Sequence, residues 1–152
     1  MTPFDAIVAH ERTSWSLSQV MGRLGWDQET MMPRGAADQR GEESAALEEV
    51  LHARRTDPRL GEWLAEAEAP NAKGAAILRH ARRNYQRNTR IPAALATELA
   101  RVTSVAQGTW AEARGRDDVA HFLPTLTRVI ALKREEAAAL AQNGDLYDAL
   151  LN

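Results

Sequence analysis

Three features of the chain predict an all-α fold. Ala, Leu, Glu and Arg dominate it, and these are strong helix formers. Its large apolar residues recur at steps of three and four, the period of a helix face, and no stretch alternates as a half-buried strand does. Pro, Gly, Asn and Asp interrupt the periodic stretches so as to leave about six helices in antiparallel, bundle-like packing.

The first helix is expected to start at Thr2. Thr caps, Pro3 suits the first helical position, and Asp5 offers a carboxylate to the first-turn amides. Phe4, Ile7, Val8, Trp15, Leu17, Val20, Met21 and Leu24 form its apolar side. Gly22 and Gly25 weaken its end, so residues 26–33 (Trp26, Asp27, Gln28, Glu29, Thr30, Met31, Met32, Pro33) read as a Trp-containing loop between the first two helices. A second helix runs over about 34–55, with Leu47, Val50 and Leu51 apolar. Ala36, Ala37, Ala45 and Ala46 mark a close helix contact in its first half.

Asp57-Pro58 is cap plus first-turn proline for a short third helix with Leu60, Trp63 and Leu64. After a break at Ala69-Pro70-Asn71, a fourth covers about 71–89 with Leu78, Ala81 and Tyr85 inward. Pro92 opens a fifth, about 92–114, where Leu95, Leu99, Val102, Ala106 and Trp110 form a seam suited to antiparallel packing. Trp15, Trp63 and Trp110 sit in helical registers and are expected in the core. Residues 115–118 are loop and cap for a sixth helix, kinked or restarted at Pro124 and ended by Asn143-Gly144. Residues 145–152 begin a further apolar segment. A terminus of Tyr and three Leu is unusual, because chain ends are normally polar and loose, so the chain reads as cut before its next element.

At 152 residues the chain suits one helical domain, 1–152, with a single core. A net charge of -2 argues against a general polyanion binder and against a basic membrane-surface module. The absence of cysteine excludes disulfides, thiolate metal sites and a Cys nucleophile. Residues 1–5 lack the basic start and apolar run of a signal peptide, and no window approaches the ~20 apolar residues of a membrane span. A soluble, cytoplasmic protein without nucleic-acid or membrane partners is expected.

No constellation assigns a catalytic or metal-binding residue. His10-Glu11 starts like a His-Glu-x-x-His zinc motif, but the fifth position is Ser14, and one imidazole does not hold a catalytic zinc. His10 is therefore expected at the surface. Glu49 with His52, and Asp118 with His121, match the carboxylate-x-x-His pairs of di-metal bundles. Their places at helix ends favour structural roles, Asp118 as an N-cap, and leave a di-metal carboxylate bundle as an alternative. Arg79, Arg83, Arg87 and Arg90 make a basic stripe on the fourth helix, able to hold phosphates or a substrate carboxylate, or else a solvated face paired with Glu. Asp27 and Glu29 offer an acid/base pair, but as loop carboxylates they better cap the second helix or pair with Arg34. Ser14, Ser16 and Ser18 have no neighbouring base.

Taken in order, several motifs resemble a known family. Trp26-Asp27-Gln28-Glu29-Thr30-x-Met32-Pro33 followed by Gly35-Ala36-Ala37 is similar to the N-terminal signature of the carboxypeptidase Taq family of zinc metallocarboxypeptidases. The similarity continues through Leu51-His52, Asp57-Pro58-Arg59-Leu60, Arg83-x-Tyr85, Ile91-Pro92, Trp110-x-Glu112-Ala113-Arg114, Phe122-x-Pro124-x-Leu126, Leu132-Lys133-Arg134-Glu135 and Tyr147-Asp148-Ala149-Leu150-Leu151. The resemblance implies the N-terminal part of a larger all-helical enzyme that removes C-terminal residues from peptides, often as a homodimer. It also implies zinc or cobalt for the complete enzyme, held by a His-Glu-x-x-His motif and a further Glu beyond the matched region.

No catalytic or metal residue carries over onto this chain, and Met31 stands where the family commonly has an aromatic. The implied role is to form walls of the substrate groove, with Trp26, Asp27, Glu29 and Met32 as candidate groove or interface residues. The chain alone is expected to be catalytically inactive. Its expected partners are the catalytic portion of the enzyme, or itself through the exposed apolar face. A stand-alone helical interaction module is the other reading.

Overall fold

The computed structural model describes residues 1–142 and 144–151. The expected stop at Asn143 and the terminal Asn152 lie outside the described residues. The described residues form seven α-helices and one 3-10 turn: α1 Pro3–Thr30, the turn Arg34–Ala36, α2 Ala37–Arg55, α3 Pro58–Glu66, α4 Ala72–Asn88, α5 Ala93–Gly115, α6 Val119–Ala141 and α7 Leu146–Leu150. The apolar segment after Gly144 is the seventh helix. None of the helices among the described residues is long and apolar enough to cross a membrane.

Local cap chemistry sets most boundaries. Thr2 and Asp5 make a reciprocal capping box: Asp5 N–H donates to Thr2 Oγ1 at 3.1 Å, and Thr2 N–H to Asp5 Oδ2 at 3.2 Å. The Thr2 hydroxyl also holds the Asp5 carboxyl below its usual range. Asn71, Asp118 and Asp145 accept backbone N–H bonds at the starts of α4, α6 and α7.

Asp57 caps α3, accepting from Arg59 N–H at 2.9 Å and from the Arg59 guanidinium at 2.7 Å. Those bonds hold its carboxyl down to about 2, from an ordinary 3.8. A depressed carboxylate stabilises the fold above its unfolded pKa and stops doing so as pH falls through the folded one. The contribution is thus present above pH 3.8 and lost between 3.8 and about 2. Arg59 is largely exposed, so the effect should be about 1 kcal/mol, that of an ordinary N-cap. Urea midpoints of the native chain and Asp57→Asn should differ at pH 6 and converge toward pH 2.

The end of α5 is a Schellman turn. Asp118 N–H donates to Ala113 O at 2.8 Å, Asp117 N–H to Arg114 O at 3.3 Å, and Asp117 has φ of 53°. Glycine is the residue suited to that left-handed position, so Asp117→Gly should stabilise by about 0.5–1 kcal/mol, read as a raised urea midpoint.

The structure corrects the sequence expectation in several places. The Trp26–Pro33 loop does not exist as such, because α1 continues through Gly22 and Gly25 to Thr30 and only Met31–Pro33 separate it from the 3-10 turn. Neither glycine has positive φ, so both are ordinary helical residues here. α6 runs through Pro124 without a restart. Pro124 is six residues into the helix, where a missing N–H forfeits one early hydrogen bond.

The buried apolar residues fall into two clusters rather than the single core expected. Ile7, Leu60, Leu64, Ala67, Leu78 and Ala81 join α1, α3 and α4, with Phe4, Trp63 and Tyr85 packed around them. Leu95, Leu99 and Leu132 join α5 to α6, with Ile91 and Val102 beside them. The most extensive helix pair is α2 with α5. On α2, Gly41, Ser44 and Ala45 are buried, while Ala46 is exposed. A Cβ on Gly41 would come within 2.9 Å of Val105 Cγ2. α3 approaches α4 as closely: a Cβ on Gly61 would lie 2.6 Å from the Tyr85 hydroxyl.

Only Trp63 of the three tryptophans expected in the core packs there. Trp15 is 64% exposed and Trp110 nearly half exposed. Their registers are helical, but the faces they lie on have no covering element among the described residues.

Candidate functional site, a groove beside the end of α1

The last turn of α1 is tied down at two points. Arg40 of α2 is buried and reaches back to it, donating from Nη2 to Asp27 Oδ2 at 2.5 Å, from Nη1 to the Leu24 carbonyl, and from Nε to Glu43 Oε2 at 3.0 Å. The Asp27 carboxylate beside it raises the Arg40 pKa above its ordinary value. Gln28 and Ser104 of α5 exchange two bonds: Gln28 Nε2 donates to Ser104 O at 2.7 Å, and Ser104 Oγ to Gln28 Oε1 at 3.0 Å.

Between these anchors and α5 lies a groove of about 570 Å³, lined by Gln28, Glu29, Thr30, Met32, Arg34, Asp38, Gln107, Thr109 and Glu112 among others. This is the size of an ordinary small-ligand site. Three carboxylates against one guanidinium favour a positively charged or hydrogen-bonding occupant.

The four candidate residues divide here. Glu29 and Met32 line the groove. Asp27 does not, because Arg40 holds it, and the expected pairing with Arg34 is not made. Trp26 is 64% exposed on the outside of α1. Arg34, Asp38, Gln107 and Glu112, which the sequence did not single out, complete the lining. Glu112 belongs to the Trp110-x-Glu112 motif, so that motif was the available signal.

The basic stripe has a structural use at its C-terminal end. Arg87 Nη2 donates to the Ala149 carbonyl at 3.1 Å, and Arg90 Nη1 to the Leu140 carbonyl at 3.5 Å, tying α4 to α7 and the end of α6. Arg82, beside the stripe, donates to the Leu64 and Ala67 carbonyls at the end of α3. These are helix C-termini, whose unpaired carbonyls favour cations. Arg79 and Arg83 lie exposed on the same helix, with no ion pair among the described residues.

The histidines are dispersed. His10 is half-buried rather than at the surface: its Nε2 donates to the Arg54 carbonyl at 2.8 Å, and its ring meets Trp63 edge-on at 6.0 Å. His52 is buried and donates to the Ile91 carbonyl at 2.8 Å. His121 lies 3.7 Å from Glu112 at the other end of α5. Twenty-one residues separate Ile91 from Glu112, which is about 30 Å of helix, so the two pairs considered for a di-metal bundle are far apart. Among the described residues no three His, Cys, Asp or Glu side chains converge as metal ligands would. A catalytic zinc needs three protein ligands, and this donor set does not fit one.

Fold and site together define the class: an all-helical framework of the peptidase fold to which the ordered motifs point, with a groove beside the end of α1. The chain belongs to the carboxypeptidase Taq (M32) metallopeptidase family, whose model matches residues 6–152. It is 39% identical to thermostable carboxypeptidase 1 of Thermus thermophilus, across 100% of this chain and 33% of that protein. Its fold superposes on a Pyrococcus furiosus carboxypeptidase structure with a TM-score of 0.74 at 27% identity, covering 99% of this chain and 31% of the other. For Trypanosoma cruzi metallocarboxypeptidase 1 the TM-score is 0.72 at 29% identity, over 97% of this chain and 31% of that one. The chain thus spans about a third of the length of the relatives it matches.

Proposed function

We propose that this chain serves as the groove-forming segment of a metallocarboxypeptidase, shaping the path of a peptide substrate, and is catalytically inactive by itself. The family match over residues 6–152, together with a relative of which the whole chain covers 33%, supports this reading most directly. Within it, the groove beside Glu29 and Met32 contacts peptide, and exposed Trp26 packs against the catalytic portion. A metal, zinc or cobalt, belongs to that portion. The cysteine-free composition suits a reducing, cytoplasmic setting.

Inactivity is tested by assaying the purified chain on N-blocked dipeptides with added zinc or cobalt, alongside its metal content. The expected result is turnover no higher than the buffer blank and substoichiometric metal. Turnover that co-purifies with the chain and disappears with a chelator would overturn the proposal.

A further inference from the structure

A second cleft, apart from the groove, lies where α2, α4, α5 and α6 meet. Glu48, His52 and Arg55 step by four and three residues along α2, so they share one face of it. Lys133 and Glu136 of α6 line the same space, together with apolar Ile91 and Leu99. Its volume is about 290 Å³. At roughly 30 Å³ each, that is the space of about ten waters, enough for a small organic molecule.

The buried imidazole is the unusual part. His52 is 7% exposed. A carbonyl only accepts, so the Nε2 that bonds to Ile91 O at 2.8 Å carries the proton. In the neutral ring Nδ1 is then a lone-pair acceptor, and no donor among the described residues reaches it. It is not sealed in protein either, because Arg101 Nε is the one sealed side-chain polar atom without a partner among the described residues. The little surface that His52 keeps therefore opens on the cleft it lines. A buried acceptor without a donor is costly unless something fills it.

The charges around it are balanced. Arg55 Nη1 pairs with Glu48 Oε1 at 2.9 Å, and Lys133 Nζ with Glu136 Oε2 at 2.7 Å. These bonds use one of the three N–H donors of Lys133 and one oxygen of Glu48, so both keep hydrogen-bonding capacity. Two cations against two anions favour neither a simple anion nor a simple cation. They suit a molecule that carries both charges.

We propose that this cleft binds a free α-amino acid with an aliphatic side chain. Lys133 and Arg55 receive its carboxylate, His52 Nδ1 and Glu48 its ammonium, and Ile91 and Leu99 its side chain. The apolar wall is already in place, since Ile91 and Leu99 belong to the α5–α6 cluster. So small a ligand in so small a site should bind with a dissociation constant on the order of 1 mM. The inference does not rest on the peptidase reading, and its test reads binding alone.

The test is a titration of the full chain with leucine, followed by calorimetry and by imidazole ¹⁵N resonances. Leucine should bind one to one and move the His52 Nδ1 resonance, leaving His10, His80 and His121 in place. Leucinamide lacks the carboxylate and N-acetylleucine the ammonium, so neither should bind at the same concentrations. His52→Gln keeps a donor for the Ile91 carbonyl and removes Nδ1, and half-exposed Lys133→Met removes the ammonium. Each should weaken leucine by about tenfold, the loss of one charge-assisted hydrogen bond, with native circular dichroism. No binding at tens of millimolar on the order of ten times the expected constant, equal binding of either blocked analogue, or full affinity in both variants would each overturn the proposal.

Discussion

Ile7→Ala should destabilise the chain by about 3–4 kcal/mol, the cost of removing a buried β-branched side chain and leaving its cavity behind. Ile7 is 0% exposed, and it brings α1 into the cluster that Leu60 and Leu64 of α3 share with Leu78 and Ala81 of α4. The cluster is small, and α1 meets α3 along only part of its length, so few neighbours can move in to fill the gap. A loss of this size is a large fraction of the roughly 5–15 kcal/mol that holds a typical domain together. The measurement is the urea midpoint, which should fall without a change in slope. Val20→Ala, also on α1 but exposed, should move it by less than about 0.5 kcal/mol. If the two substitutions cost the same, the Ile7 cluster is not what fixes α1.

What could be read from the sequence was what is decided locally. Thr2, Asp57, Asn71, Asp118 and Asp145 each accept a backbone N–H within three residues, so the helix starts they mark need no knowledge of the rest of the fold. The family motifs were legible for a different reason, as an ordered set of residues along nearly the whole chain.

The end of α1 was misread because its cause is remote. A glycine costs a helix only about 1 kcal/mol, and Gly22 and Gly25 are outweighed by anchors on α2 and α5, 13 to 76 residues away. Periodicity also shows which residues share a face without showing whether that face is covered. Leu95 and Leu99 are buried, but Trp110 on the same seam is not. The same limit applies to the groove: Glu29 and Met32 stand in the conspicuous motif, whereas Arg34, Asp38, Gln107 and Glu112 join them only through the packing of α5 against α1 and α2.

Arg40→Ala should be the most damaging change near the groove, at about 2–3 kcal/mol. The guanidinium is buried and donates to three acceptors, the Asp27 carboxylate, the Glu43 carboxylate and the Leu24 carbonyl. Charge-assisted bonds of this kind are worth roughly 1.5–3 kcal/mol each when broken from one side. The effects do not sum, because Asp27 and Glu43 are partly exposed and water reaches them once Arg40 is gone. Asp27 and Glu43 then both lose the cation they share. Arg40→Lys should recover little of the loss, since a single ammonium lacks the planar fork that serves three acceptors at once.

The damage should also be local. With Gln28–Ser104 as its only remaining inter-helix side-chain hydrogen-bond tie among the described residues, the stretch from Leu24 to Met31 should open more readily, and its amides should exchange with solvent faster, while those around Ile7 stay protected. Since Glu29 and Met32 are carried by that stretch, the groove wall would loosen with it. Uniformly faster exchange along all of α1 would instead mean that Arg40 supports the whole helix rather than the groove, and the anchoring role assigned to it would fail.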